Sequence, residues 1–302
     1  MQLTLGKLVA AVMIGSRALM IDHVSSVLSR LSRMKDALKS LDKFMALPAE
    51  YDGKRTYAIK SDLSGHIKLK EVSYKYDQLA TPTIDNINLE IKAGEHIAVV
   101  GPVGSGKSTL AKCIVNLIQH DRGQILLDDI DNSEIDPILL RQQVHYMSSD
   151  NYVFKGTVFE NVRIVKPQAS NEEVMRVMQH VGIMNFVTNH PMGVDMPVLD
   201  GGANLSSGQR QAIAIARAML SPAQILILDE PTSFADLEMS AVFMNTLVNE
   251  CRSKTIIFIT HTLSLCQFMD RVIEVVDGKI VRDGASSKIV KELVAKRSIP
   301  KS

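Results

Sequence analysis

The residues best suited to chemistry form a glycine-rich run that ends in lysine, serine and threonine. In sequence order they are Gly101, Pro102, Val103, Gly104, Ser105, Gly106, Lys107, Ser108 and Thr109. The run fits the phosphate-loop pattern G-x-x-x-x-G-K-[ST], in which backbone N–H groups turn inward around an anion at a helix N-terminus. In this pattern Lys107 reaches the β- and γ-phosphates and the Ser108 hydroxyl binds Mg²⁺. The run therefore predicts a nucleoside triphosphate site.

An acidic pair and a histidine could supply the remaining groups that phosphate hydrolysis needs. Asp229 and Glu230 close one apolar segment, and His261 follows another. A carboxylate at a strand end beside a phosphate loop can hold Mg²⁺ through water, which suits Asp229. Glu230 is then placed to accept a proton from an attacking water. A lone histidine after a strand usually makes a structural hydrogen bond, but beside these groups we expect His261 to contact the γ-phosphate.

The segments that carry these residues have the patterns of strands in a parallel sheet. Residues 96–100 are apolar and lead into the glycine-rich run, and helical spacing follows the run over residues 110–118. Residues 224–229 and 255–260 are continuous apolar runs, which are typical of parallel strands buried on both faces. Strand, loop and helix in this order are the context that a phosphate loop requires.

Other patterns surround this predicted core. Apolar residues alternate with polar ones near residues 67–72 and 87–91, which predicts half-buried antiparallel strands. Residues 140–220 are rich in helical patterns, and an Asp-Gly pair at 277–278 predicts a hairpin turn. We predict an α/β fold with a P-loop core, an antiparallel β subdomain and a helical insertion. An N-terminal helical extension precedes it.

Composition limits the possible functions. The chain has 302 residues, a formal charge of +1, 46% hydrophobic residues and 22% charged residues, which describes an ordinary globular protein. No basic excess is present to neutralise phosphates, so no nucleic-acid partner is expected. The three cysteines have no metal-ligand spacing and are interpreted as buried thiols in a reducing compartment.

The N-terminal segment, residues 1–48, has a long helical pattern. Residues 3–21 are apolar, but Lys7 and Arg17 interrupt them, so the uninterrupted part is short for a membrane span. An apolar stripe at spacings of three and four then runs to Met45, and Pro48 stops the helix. The stripe favours packing on the helix's own domain or on neighbouring helices over self-association as a coiled coil.

Residues 66–295 resemble the nucleotide-binding domain of ATP-binding cassette (ABC) transporters, because several motifs of this family occur here in the family's order. The polar, turn-rich residues 49–65 before this domain are interpreted as a linker. The signature of this family is matched by Leu205, Ser206, Ser207, Gly208 and Gln209. The resemblance implies ATP and Mg²⁺ as cofactors and an ATP hydrolase activity.

The resemblance also implies a head-to-tail dimer with a second nucleotide-binding domain, either identical or different. The signature residues would contact the γ-phosphate of ATP bound to the partner. Residues 233–236 match the dimer-contact loop, so Asp236 is expected near that interface. Tyr76 matches the aromatic residue that stacks on adenine; the alternative is an ordinary strand tyrosine.

Two positions depart from the family pattern. Ser149 stands where the family has a glutamine that looks to Mg²⁺ and the attacking water, and serine is too short to reach as far without a bridging water. Ser207 stands where the signature usually has glycine, so its Cβ is expected to crowd the phosphate contact or to restrict the backbone. We predict slowed hydrolysis or altered coupling, with ATP binding retained.

Within the family, the form of the phosphate loop and residues 3–19 resemble exporters of type I protein secretion systems. Residues 1–48 would then be the last transmembrane helix and its cytoplasmic continuation, in a truncated or split chain. This implies an inner-membrane location with the ATPase on the cytoplasmic side. The partners would be permease helices, a secretion adaptor and an exported protein. Lipid or drug export, a degenerate subunit with little hydrolysis, and a soluble DNA-acting ATPase are the alternatives.

Overall fold

The computed structural model describes residues 5–47, 57–58, 62–77, 79–232 and 237–297. Contacts between residues divide the chain into two units, residues 1–55 and residues 56–302. The predicted site residues all belong to the second unit. Of these, Asp236 lies outside the described residues.

The first unit contains one long helix, α1 (Leu5–Met45). At about 1.5 Å per residue it is roughly 60 Å long. Its apolar stripe includes Val27, Leu31 and Met34, each of which has half or more of its surface exposed. Within the described residues, no helix combines the length and the hydropathy needed to cross a membrane.

The second unit begins with strands and one helix that carry the phosphate loop. In chain order its first elements are β1 (Ile67–Tyr74), β2 (Ile84–Ile91), β3 (His96–Val100), α2 (Lys107–Ile114), β4 (Arg122–Leu127), β5 (Ile130–Asp131), α3 (Pro137–Gln143) and β6 (Val144–Met147). The middle of the unit is mostly helical. Its elements are β7 (Gly156–Thr157), α4 (Val158–Arg163), α5 (Asn171–His180), α6 (Met184–Val187), β8 (Pro197–Val198) and α7 (Ser207–Leu220).

The last part of the unit contains both strands and helices. Its elements are β9 (Ile225–Asp229), α8 (Leu237–Glu250), β10 (Thr255–Ile259), β11 (Arg271–Val276), β12 (Lys279–Ala285) and α9 (Ser286–Arg297). Short 3-10 turns occupy Gly193–Asp195, Asp200–Gly202 and Leu263–Phe268.

The central sheet has the strand order β12-β11-β3-β10-β9-β6. Strands β3, β9 and β10 are buried along their whole length and pair in parallel, as their continuous apolar runs predict. Because parallel strands end at the same edge of a sheet, the segments after β3, β9 and β10 meet there. Those segments are the phosphate loop, the Asp229–Glu230 pair and His261.

The antiparallel β subdomain is confirmed. Its sheet has the order β2-β1-β4-β5, with β1 pairing antiparallel to β2 and β4. Its apolar side chains include Ile67, Leu69 and Ile87, which are all but fully buried. They share one hydrophobic core with the side chains of α2, so this sheet covers the helix that begins at the phosphate loop.

The predicted hairpin turn is also present and contacts the phosphate loop. Asp277 and Gly278 join β11 to β12 with φ angles of 47° and 76°, as a tight turn with both central residues left-handed requires. The Gly278 N–H donates to the Ser105 carbonyl at 3.1 Å. This hydrogen bond fixes the phosphate loop to the turn between β11 and β12.

The helical insertion has its own hydrophobic core. Helices α4, α5 and α7 bury apolar side chains against one another, among them Val162, Met178 and Ile213. Capping boxes fix the first turns of α4, α5 and α7. The insertion therefore places the start of α7, where the signature residues lie, at a defined position.

Part of the predicted linker is attached to the core. Ala58 pairs with Ile135 in an isolated parallel bridge, and Leu63 is 6% exposed. The Ser64 hydroxyl donates to Asp128 at 2.7 Å. Specific contacts thus begin before residue 66, the boundary predicted from composition.

Candidate nucleotide site

The phosphate loop is held in a conformation that its glycines make possible. Gly101 and Gly106 have φ angles of 151° and 98°. A Cβ at Gly101 would lie 2.0 Å from the Val275 carbonyl oxygen, and one at Gly106 would lie 2.4 Å from the Thr83 carbonyl oxygen. The loop backbone is therefore packed directly against backbone from two other segments, and larger residues at these two positions would displace it.

Lys107 lies inside this loop. Its ammonium group donates to the carbonyls of Gly101 at 3.0 Å and Pro102 at 2.8 Å, and the residue is 8% exposed. Burial lowers the pKa of Lys107, while the nearby carboxylates of Glu230 and Asp229 oppose this effect. The lysine is thus held by loop carbonyls near the acidic pair, and its contact with phosphate oxygens stays a prediction.

Asp229 ends β9 with its side chain buried, at 2% exposure. Its Oδ2 accepts a hydrogen bond from the Tyr146 hydroxyl at 3.2 Å. Its Oδ1 is buried with no hydrogen-bond donor from the described residues. A buried carboxylate oxygen without a donor is costly unless a cation or water satisfies it. Asp229 therefore fits a Mg²⁺ site, with the Ser108 hydroxyl as the second predicted ligand.

Glu230 and His261 form a pair. The His261 Nδ1 lies 2.9 Å from the Glu230 Oε2, in a partly exposed position. The Glu230 backbone has a φ of 53°, a left-handed conformation that is strained for a non-glycine residue. Its N–H donates to the Ile259 carbonyl at 3.0 Å, and its carbonyl accepts from the Gln211 amide at 3.3 Å. Strand β10 and helix α7 thus hold the strained turn that presents the carboxylate.

Tyr76 lies beside the phosphate-loop helix. Its hydroxyl is 3.5 Å from the Thr109 hydroxyl, and its ring packs edge-to-face on Tyr74 with ring centroids 4.9 Å apart. The ring is half-buried. The structure therefore places Tyr76 beside the helix that begins at the phosphate loop, and its contact with adenine stays a prediction.

The signature residues start α7. Ser206 is the N-cap, where its hydroxyl accepts from the Gln209 N–H at 3.2 Å and its own N–H donates to the Gln209 side chain at 2.9 Å. Leu205 is buried at 5% exposure. In any α-helix the first N–H groups lack intrahelical acceptors, which here are those of Ser207 and Gly208. These amides form a ready anion site at a helix N-terminus.

The expected backbone restriction at Ser207 is not found. Ser207 is the first residue of α7 and has helical, negative φ, which any residue adopts. The serine in place of glycine therefore causes no backbone strain. The predicted crowding of a partner's phosphate stays a prediction.

Ser149 lies in the turn after β6 and is exposed. Its carbonyl accepts from the Asn151 side chain at 3.2 Å. The contact from this strand to the acidic pair is made by Tyr146, a residue that the sequence patterns did not single out. The sequence signal that could have indicated Tyr146 is a tyrosine within a short strand among apolar residues, because a hydroxyl in such a place needs a hydrogen-bond partner.

Arg217 is a second residue that the patterns missed. It is 9% exposed in α7, and its guanidinium donates to the carbonyls of Asn161 and Tyr152 and to the Asn161 side chain. It also lies over the Phe154 ring, 5.4 Å from the centroid. Burial lowers the pKa of Arg217 to about 10. Arg217 thus ties the signature helix to the segment that follows Ser149.

Comparisons with known proteins agree with this geometry. A sequence model of the ABC transporter family matches residues 84–233. These residues form an ABC transporter domain. The match begins at β2 and runs through the phosphate loop, the signature and the acidic pair.

The relatives of this ABC domain are exporter proteins. The ATP-dependent lipid A-core flippase of Neisseria meningitidis serogroup B is 36% identical over 249 residues, 82% of this chain and 40% of that protein. The alpha-hemolysin translocation ATP-binding protein HlyB of Escherichia coli is 37% identical over 263 residues, 87% of this chain and 36% of that protein. The chain therefore spans about two fifths or less of these relatives.

A solved structure shares the fold of the ABC domain. It is a bacterial Atm1-family ABC exporter with ATP bound, with a TM-score of 0.80 and 24% sequence identity. The match covers 89% of this chain and 48% of that chain. The predicted α/β P-loop fold with an antiparallel subdomain and a helical insertion is therefore confirmed.

Proposed function

We propose that this ABC domain binds Mg–ATP and hydrolyses it to ADP and phosphate. The observation that carries the proposal is the meeting, at one sheet edge, of the loop that encloses Lys107, the buried Asp229 and the Glu230–His261 pair. These are a phosphate-binding cation, a metal-binding carboxylate and a proton acceptor.

Each residue has a defined task in this proposal. Inward-facing N–H groups of residues 101–109 and the Lys107 ammonium bind phosphate oxygens, and Tyr76 stacks on the base. Ser108 and Asp229 hold Mg²⁺, which when bound neutralises charge on the phosphates. The Glu230 carboxylate accepts a proton from the attacking water. His261, through its contact with Glu230, orients that carboxylate and faces the terminal phosphate.

The start of α7 supports a dimeric arrangement. Ser206 and the amides of Ser207 and Gly208 are an anion site on the helical insertion, separate in sequence from the phosphate loop. We propose that it binds the terminal phosphate of a nucleotide held by a second nucleotide-binding domain. Each half-site of a head-to-tail pair would then be completed by the other, with Asp236 at the contact.

The relatives support an export function. We propose that hydrolysis opens and closes the nucleotide sandwich and drives alternating access in membrane helices of an inner-membrane permease. The ATPase would lie on the cytoplasmic side. Similarity to HlyB, and the form of the phosphate loop, favour a protein cargo in a type I secretion system with its adaptor. Similarity to the lipid A-core flippase makes lipid export the alternative.

The first test is Mg–ATP hydrolysis by the full chain as a function of protein concentration. We expect a rate that rises faster than linearly, because two copies build each site, and we expect Glu230→Gln to abolish it while ATP still binds. A linear rate that Glu230→Gln leaves unchanged would refute the proposed site.

A second candidate is a subunit that binds ATP with little hydrolysis. Ser149 is exposed and stands where the family has a longer glutamine, which favours this candidate. Under this alternative ATP binds, the wild-type chain shows only background turnover, and Ser149→Gln raises the rate. Normal wild-type turnover that Ser149→Gln does not change would exclude this alternative.

A further inference from the structure

Strand β6 carries Tyr146, whose phenol group lies next to Asp229 of the acidic pair. The strand pairs in parallel with β9, with Tyr146 opposite Ile227 and Met147 opposite Leu228. This register places the ring of Tyr146 alongside the end of β9. Its hydroxyl donates to the Asp229 Oδ2 at 3.2 Å.

Because of this hydrogen bond, the two oxygens of the Asp229 carboxylate have different surroundings. Oδ2 is occupied by the phenol, while Oδ1 is buried without a donor from the described residues. A carboxylate on a short side chain can rotate between orientations, and a hydrogen bond to one oxygen selects one of them. Residues that bond to a metal ligand in this way commonly decide how well the ligand binds its metal.

We propose that Tyr146 is a positioning residue for the metal site: it fixes Asp229 so that Oδ1 faces the cation that accompanies the nucleotide. This inference rests on the proposed function.

The contact of Tyr146 also bears on the departure at Ser149. Ser149 follows Tyr146 by three residues and is exposed. Tyr146 does contact the pair. The side chain that links β6 to the carboxylate of Asp229 is therefore that of Tyr146, three residues before Ser149.

The test measures nucleotide binding by the full chain with a fluorescent ATP analogue, with and without Mg²⁺. For Tyr146→Phe we expect the Kd with Mg²⁺ to rise about 10-fold, as for other residues that support a metal ligand. The Kd without Mg²⁺ should stay unchanged, because phenylalanine keeps the ring packing. Direct titration with Mn²⁺ in the presence of the analogue should show the same loss of cation affinity.

Tyr152→Phe is the matched control. Tyr152 lies in the same segment, and its hydroxyl also bonds a carboxylate, that of Asp200 at 3.0 Å. This variant should bind nucleotide as the wild type does under both conditions.

Two results would overturn the role of Tyr146. One is an unchanged Kd with Mg²⁺ in Tyr146→Phe; the other is an equal loss with and without Mg²⁺, which would indicate a general structural defect. A wild-type chain that binds no nucleotide under either condition would instead refute the proposed function, and the inference with it.

Discussion

His145, the residue before Tyr146 in β6, should make the stability of the protein depend on pH. It is partly buried and lies in the central sheet, opposite Leu226 of β9. Burial, together with the positive charges of Lys254 and Arg217, lowers the pKa of His145 from 6.5 to about 4. The imidazole is therefore neutral in the native state over a range where the unfolded chain binds a proton.

The sign and size of the change in the free energy of unfolding follow from proton linkage. Because the native state holds fewer protons than the unfolded state between pH 6.5 and 4, the free energy of unfolding falls as the pH decreases through this range. From pH 7 to pH 5, His145 alone should lower the free energy of unfolding by about 2 kcal/mol. The loss should approach about 3 kcal/mol near pH 4.

The assay is urea unfolding of the wild type and His145→Gln at pH 7 and pH 5. Glutamine keeps a polar group of similar size but does not titrate, so the variant should lose less stability on acidification by about 2 kcal/mol. Other histidines and carboxylates titrate in both proteins, and their effects cancel in the comparison. An equal loss of stability in the two proteins would refute the argument that His145 is held neutral.

Further predictions concern the insertion and the loop. Arg217→Met should lower the free energy of unfolding by about 3 kcal/mol, because three acceptors lose their charged donor; urea unfolding checks this, and a loss under about 1 kcal/mol would contradict it. Gly106→Ala should abolish ATP binding, because its Cβ would meet the Thr83 carbonyl at 2.4 Å. Gly104→Ala, with φ of 81° but open space around the new Cβ, should retain more binding in the same fluorescent-nucleotide assay. Equal affinities in the two alanine variants would contradict the steric argument.

Local patterns were sufficient to predict much of the fold. Continuous apolar runs predicted β9 and β10, and alternation predicted β1 and β2. The Asp-Gly pair at 277–278 predicted a hairpin turn, because this type of turn needs two consecutive residues in the left-handed conformation and few residue pairs adopt it readily. These features depend on neighbours within a few residues, so they can be read directly from the sequence.

The residues that support the site could not be predicted in the same way. Tyr146 reaches Asp229, and Arg217 reaches Asn161, across separations of 83 and 56 residues. Such contacts depend on strand register and on how the insertion packs. Ser207 is the opposite case. The serine in place of glycine can be read from the sequence, but only its position in a helix shows that the serine causes no backbone strain.

The sequence by itself determined which groups we propose for the chemistry. Lys107, Ser108, Asp229 and Glu230 belong to short motifs whose backbone conformation and flanking elements are local. The tertiary structure decided how those groups are held. The strained turn at Glu230 and the orientation of the Asp229 carboxylate arise where separate strands meet, because only the parallel register of the sheet brings their ends to one edge.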